Sequence, residues 1–509
     1  MERAKSTLSR RQLLRLASGA AVGGISVIVA ACSGGAAPPE SKPASTETKP
    51  VESKPAGGEA PKPTQPAQAA PTQAAAAPKP AASTSTTIRF VTWWQPMEKY
   101  LAEIAQQFES ANGIKVDTEF VPGTDFTPKM EASLVAGTWG DASIIENAVQ
   151  VKFMDAGLHY DMTDMVKADN IDLLADWSLM GLEIWEGRVL CLPFDNDPRG
   201  IYYNKTAFKE AGVKDPWDDL KGKWTWDDMI DAARKTTKKQ GDKIVRYGLQ
   251  WNYTSYQEFS PLVWTLGGNY ADWKTLKYTL DDPKVLEAQK MLYTWAVDEQ
   301  ILITKEATTN LMGPGGPVPF RAGVAAMYHR AAYDTVLTRD AVGDKFEWDV
   351  APFPDKDANT PGVPVTSGNP NFVPKAAKNP EAGYKWIRTL TSEDVQKQFA
   401  KNHVFVPSNK KAWKTYQENE PPKHASSFIR FVYGRPHGFH FYNAGMQRVG
   451  QAIDAELDLA YLGKQSLEDA LKTAQIKANE SVNFGKAKNP FAFTVPKPPE
   501  KDLAKWGIE

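Results

Sequence analysis

The chain has 509 residues, with 60 basic against 61 acidic side chains for a formal net charge of −1, and 2 cysteines. So even a balance gives no electrostatic argument for nucleic acid, and two cysteines exclude a disulfide-dense scaffold. The length exceeds what one hydrophobic core usually organises, which makes two lobes the default.

The first residues read as an address rather than as fold. Ser9-Arg10-Arg11-Gln12-Leu13-Leu14-Arg15 precedes an apolar run from Leu16 to Ala31, about sixteen residues long. A membrane-spanning helix needs roughly 20. The run ends Val29-Ala30-Ala31-Cys32-Ser33. This stretch resembles a bacterial lipobox, and the arginine pair resembles a twin-arginine export signal; the alternative is a plain N-terminal membrane anchor. The resemblance implies a signal peptide over 1–31 and a mature chain that starts at a lipidated Cys32, tethered by two acyl chains where one would be marginal. With Cys32 lipidated only Cys191 is left, so no internal disulfide is possible, and its apolar neighbours read as core.

After Cys32, residues up to 87 are mostly Ala, Pro, Lys, Ser, Thr, Gln and Glu with almost nothing large and apolar. Such a segment cannot bury enough surface to offset its ordering entropy and is expected to be a disordered spacer. As a coil it spans about 40 Å, and about 170 Å as fully extended polyproline. Removing residues 1–31 takes away five basic side chains and one acid, leaving −5. The body is therefore mildly acidic, again with no case for nucleic acid.

Ile88–Trp93 reads as a strand, Leu101, Ile104, Ala105 and Phe108 as one face of a helix stopping at Asn112-Gly113, and Ile114–Phe120 as a half-buried strand. Strand, helix, strand in that order indicates a βαβ unit. Thr225-x-x-Asp228 and Ser466-x-x-Asp469 predict capping boxes, and Asn379-Pro380 an N-cap with proline at the first helical position. Val324–Tyr328 reads as a buried strand that exits through His329-Arg330-Ala331-Ala332-Tyr333.

Several stretches occur in the order of one family: "LPFDNDPRGIYYNKTAFKEAGV…TWDD" (192–228), "LVWTLGGN" (262–269), "FRAGVAAMYHRAAYD" (320–334), "NFVPKAAKNPEAGYKWIRTLTSEDVQKQFA" (371–400) and "AYLGKQSLEDALKTAQIKANE" (460–480), with "AGTWGDASII" (136–145) before them. The chain resembles the extracellular solute-binding proteins of carbohydrate ABC importers, the group that includes maltodextrin-binding proteins. The resemblance implies an α/β fold of two Rossmann-like lobes joined by crossing hinge strands, with the ligand cleft between them. It implies an N-terminal lobe from 88–197 plus about 366–418 and a C-terminal lobe from about 198–365 plus 419–509. The implied partners are a small-molecule solute, a sugar first, and the permease of an ABC importer, with no cofactor, no catalysis and a monomeric state.

Sugars present apolar C–H faces and hydroxyl edges, which suit aromatic rings and Asp, Glu, Asn, Gln or Arg respectively. Strand ends in an α/β lobe are where such groups collect. Trp93, Trp94 and Gln95 follow the first strand, and Glu146 and Asn147 follow Ile144-Ile145. The resemblance adds Tyr256 and Gln257 near a ligand loop, Arg330 and the ring of Tyr333 after the 324–328 strand, and Asn369 and Asn371 at the second crossing. Trp264, among Leu262, Val263 and Leu266, reads as core. His437-x-x-His440 lacks a third ligand at useful spacing, so no metal is expected.

Asp195-Asn196-Asp197 is the most ambiguous motif. An EF-hand loop starting at Asp195 fails at its fifth and twelfth positions, Arg199 and Thr206. No hydrolase motif accompanies the acids, although an exported glycoside hydrolase would also be aromatic and acidic. In the resembled family the segment is the first crossing strand, with Asp195, Asn196 and Asp197 on the cleft floor or paired to Arg199. The arginines Arg199, Arg330 and Arg435 keep open an anionic ligand, such as a polyol phosphate or peptide.

Overall fold

The computed structural model describes residues 86–178, 184–272, 274–438, 440–441, 443, 445–482 and 501–508. Cys32, the expected leader and the expected spacer up to residue 85 lie outside the described residues.

The first strand, Thr86–Thr92, starts two residues before the expected Ile88. It runs parallel to Ile114–Phe120, in register from Thr86↔Ile114 to Thr92↔Phe120. The connecting helix, Glu98–Asn112, buries Leu101, Ile104 and Phe108 on one face and stops at Gly113, whose φ of 67° suits a residue without a Cβ. Each of those side chains contributes about 1.5–3 kcal/mol by leaving water. Phe108 and Phe90 both meet the fully buried Trp386, at 5.2 and 5.8 Å between ring centroids.

This βαβ unit belongs to a five-stranded sheet ordered Ile114–Phe120, Thr86–Thr92, Ala142–Ile144, Pro370–Phe372, Cys191–Pro193. A second five-stranded sheet runs Trp348–Ala351, Arg199–Asn204, Ala325–Ala331, Lys243–Gln250, Lys238–Gln240. The chain leaves the first sheet at Pro193 and enters the second at Arg199; it leaves the second at Ala351 and returns at Pro370. The two passages are bonded to each other. Asp195 N donates to Asn369 O, Asp197 N to Ser367 O and Arg199 N to Val365 O, an antiparallel ladder. Val406–Pro407 pairs with Asp195–Asn196 on the ribbon's other edge, and Gly438 bridges Val365. These crossing segments are thus hydrogen-bonded to one another rather than loose linkers, as the two-lobed expectation requires.

Local sequence signals account for the elements that flank it. Asn204 ends its strand and caps the helix Lys205–Glu210 by accepting from Ala207 N at 2.8 Å. Thr225 and Asp228 form the expected reciprocal capping box, and Ser466 accepts from Asp469 N. Asn379 occupies its N-cap position without a side-chain bond; instead its N–H donates to Asp141 at 2.9 Å. Trp264 is buried against Tyr270 and Cys191 lies in the core, as expected.

One expectation is corrected. The strand read as Val324–Tyr328 spans Ala325–Ala331, so His329 and Arg330 are strand residues, not a turn. His329 is 1% exposed and stacks on Trp251 at 3.8 Å and 11°, a flat aromatic contact that offsets the cost of burying an imidazole.

Candidate functional site

The strand ends converge on a cavity of about 290 Å³ beside the crossing ribbon. Trp93, Trp94, Ile144, Glu146, Asn147 and Phe194 come to it from the first sheet's carboxyl edge. Asp195, Asp197, Arg199, Ser367, Gly368 and Asn369 come from the ribbon, and Gln257, Tyr333 and His440 from the other side. The Trp94 and Tyr333 rings meet edge-to-face across it, 5.4 Å apart at 80°. Trp93 is held by Phe126 at 4.5 Å.

The floor is polar and closely bonded. Asn369 donates to Asp195 through its backbone N–H at 2.6 Å and through Nδ2 at 3.2 and 3.1 Å, and Nδ2 also reaches Asp197 Oδ2 at 3.3 Å. Asp197 Oδ1 makes no hydrogen bond among the described residues. Arg199 donates from Nε to Glu258 at 3.0 Å, and from Nη1 to Asp197 O and Ser367 Oγ. Glu258 is the hub behind this wall: His329 Nδ1 lies 3.1 Å from Oε2, and Arg330 Nη1 3.9 Å from Oε1.

Burial and mutual repulsion set the charges. Burial lifts Asp195 well above the carboxylate range, and Asp197 adds to the lift. Asp197 is pushed up to about 6 by burial, against the pull of Arg199, Arg330 and Asn369. Glu146 is raised by burial and by Asp197. Glu258 is also buried, but Arg199, His329 and Arg330 outweigh that and hold it below the usual range. Burial, helped by Arg199, lowers His440 to about 3, so its imidazole is neutral at ordinary pH.

Of the residues singled out from sequence, Trp93, Trp94, Glu146, Asn147, Asp195, Asp197, Gln257, Tyr333 and Asn369 line this cavity. The others are placed elsewhere. Gln95 is exposed at the start of a 3-10 turn. Asn196 faces the opposite way from its two neighbours, because side chains alternate along an extended segment; its Nδ2 donates to Ser178 Oγ and Pro407 O. Tyr256 is buried against Tyr270 and Tyr278, leaving its helical neighbour Gln257 at the cavity. Arg330 stands behind the wall with its guanidinium 5.3 Å from the Tyr333 ring. Asn371 is fully buried in the first sheet, between Ile144 and Leu192.

Ile144 and Phe194 were not singled out as contacts, while Ser367 and Gly368 belong to the second crossing. The period of two along 193–199 was the available signal for a pattern of alternate cavity-facing residues. His437 and His440 do not act together: His437 accompanies Arg435 O at 3.0 Å, while His440 joins the cavity wall. Among the described residues no group of three or more His, Cys, Asp or Glu is arranged to hold a metal.

Residues 93–397 match the family model described as bacterial extracellular solute-binding protein. A binding protein of Brucella abortus is 27% identical over 398 residues, covering 75% of this chain and 89% of its own. The sn-glycerol-3-phosphate-binding periplasmic protein of Escherichia coli is 23% identical, covering 78% and 92%. Among solved structures, an ABC substrate-binding protein of Listeria monocytogenes in complex with cycloalternan superposes with a TM-score of 0.68 at 21% identity, covering 78% of this chain and 98% of that one.

Proposed function

From the premise that the chain belongs to the bacterial extracellular solute-binding protein family, we propose that this exported ABC-transporter component captures a carbohydrate by lobe closure and delivers it to an importer permease. The observation that carries the reading is the cavity itself. Two aromatic rings in edge-to-face contact, Trp94 and Tyr333, line it together with hydroxyl acceptors, Asp195, Asp197 and Asn369. Rings match sugar faces, and buried carboxylates and amides match sugar edges. At about 290 Å³ the cavity lies at the small end of ligand sites, which run from roughly 300 to 1,000 Å³, and favours a mono- or disaccharide. A ligand touching both lobes favours the closed state by its differential affinity, with no bond made or broken. Attachment through a lipidated Cys32 and a monomeric working state complete the proposal.

A second reading, a polyol phosphate, is favoured by the Escherichia coli relative and by Arg199 in the wall. It is the weaker reading because the Arg199 guanidinium is already engaged by Glu258 at 3.0 Å. A thermal-shift screen of the purified chain against mono-, di- and trisaccharides, polyols, glycerol phosphate and amino acids separates the two. A ligand at about 100 times its Kd adds about 2.7 kcal/mol to native stability. A saccharide is expected to raise the melting temperature; a shift by glycerol phosphate or an amino acid and by none of the sugars overturns the carbohydrate reading. Trp94→Ala and Tyr333→Ala are each expected to weaken saccharide binding by about 1 kcal/mol, roughly fivefold. Isothermal titration reads this directly, and unchanged affinity in both variants removes the cavity as the site.

A further inference from the structure

The charge around the cavity is unbalanced. Glu146, Asp195 and Asp197 line it, and Glu258 stands behind Arg199. The cations that face them are Arg199 in the wall and Arg330 behind it. Both guanidiniums are within 4 Å of Glu258, whose charge they share. Burial and Asp197 already hold Asp195 toward its protonated form, so among the described residues Glu146, Asp197 and Glu258 face two guanidiniums, an excess of one negative charge when those three are ionised. The neighbouring imidazoles do not correct it, since burial holds both His329 and His440 toward the neutral form. Burial holds Tyr333 up at about 12, so its phenol is neutral and adds no charge.

A neutral sugar would leave that excess in place, and an anionic one would add to it. Asp197 is the group that waits for a partner. It is 7% exposed and lines the cavity; Oδ2 is shared with Asn369, and Oδ1, itself enclosed, makes no hydrogen bond among the described residues. A buried carboxylate oxygen without a donor is costly, and a charge-assisted donor is the strongest remedy.

We infer that the ligand is a sugar bearing a protonated amine, with its ammonium held by the Asp197 carboxylate and lying within the field of Glu146. This rests on the carbohydrate reading of the same cavity and deepens it to a substrate class. Exclusion of phosphorylated and carboxylated sugars follows from the same charge excess.

The test is isothermal titration of the full chain, in detergent at about pH 6.5, where an amine with the basicity of an α-amino group is protonated. Matched probes isolate the charge: glucosamine, galactosamine and the chitosan disaccharide, each against its hydroxyl counterpart (glucose, galactose, cellobiose) and its N-acetylated form, with glucuronate as the anionic control. The amine member of at least one set is expected to bind about tenfold more tightly than both neutral counterparts. In Asp197→Asn and, separately, Glu146→Gln, that preference is expected to fall to about twofold, the field of one carboxylate being removed in each. Neutral sugars that bind as well as the amines in every set overturn the inference and leave the carbohydrate reading standing. So does a preference for glucuronate, or an amine preference that survives in both variants. Binding by none of the sugars overturns both.

Discussion

Asp197 carries the sharpest consequence of the site's electrostatics. Its native value of about 6 lies above its ordinary 3.8, so the folded chain holds this proton more tightly than the unfolded chain does. The sign follows from linkage: stability from this group is present below about pH 3.8 and is lost as pH rises to about 6, a gap of about 3 kcal/mol. Asp197→Asn is therefore expected to be more stable than the wild type at pH 8 by about 1–3 kcal/mol, with the difference vanishing near pH 4. Urea melts at the two pH values measure it, and a pH-independent difference would contradict the assignment. Glu258 behaves in the opposite sense. Held below its ordinary 4.5 by Arg199 above all, it stabilises fully above that value and loses its contribution as pH falls. Glu258→Gln leaves Arg199 buried without its counter-charge and is expected to cost about 3–5 kcal/mol in the same melts at pH 7.

At the scale of elements, the crossing ribbon decides which residues meet the cavity. Strand alternation sends Asp195 and Asp197 to one side and Asn196 to the other, where it ties the ribbon to Ser178 and Pro407. The ribbon's far edge depends on a close approach. A Cβ on Gly438 would stand 2.2 Å from Trp264 Cζ3, while its backbone bridges Val365 beside the second passage. Gly438→Ala must displace that indole or break the bridge, and it is expected to cost about 1–3 kcal/mol in chemical denaturation. Wild-type stability in this variant would mean that Trp264 is free to move.

For the whole molecule, the two sheets are joined by crossing strands, and few-residue hinges are how lobed binding proteins close on a ligand. A saturating saccharide is expected to reduce the radius of gyration measured by solution X-ray scattering, and to do so less in Trp94→Ala, where one wall has lost its ring. No change with a ligand that demonstrably binds would place binding in a pre-closed form. Anchorage belongs to this scale too: Cys32→Ser is expected to move the chain from the membrane fraction to the soluble fraction in cell fractionation.

The local signals of the fold were legible because each rests on near neighbours. The amphipathic spacing of Leu101, Ile104 and Phe108, the Thr225–Asp228 box and the strand alternation of Ile114–Phe120 need no distant partner to be read. The motif order from 136 to 480 carried the two-lobed architecture for the same reason, as a linear pattern. The site was legible only in part. Trp94 and Tyr333 are separated by more than two hundred residues, and only folding brings their rings to 5.4 Å. His329 read as the exit of a strand, yet it lies within the strand, where Trp251 and Glu258 pack against it. By itself the sequence determined the elements, the family pattern and the supply of acids and aromatics. The tertiary structure decided which of them face one cavity, and how burial and unequal pairing leave its carboxylates in excess, because desolvation and long-range charge contacts exist only once distant segments are packed together.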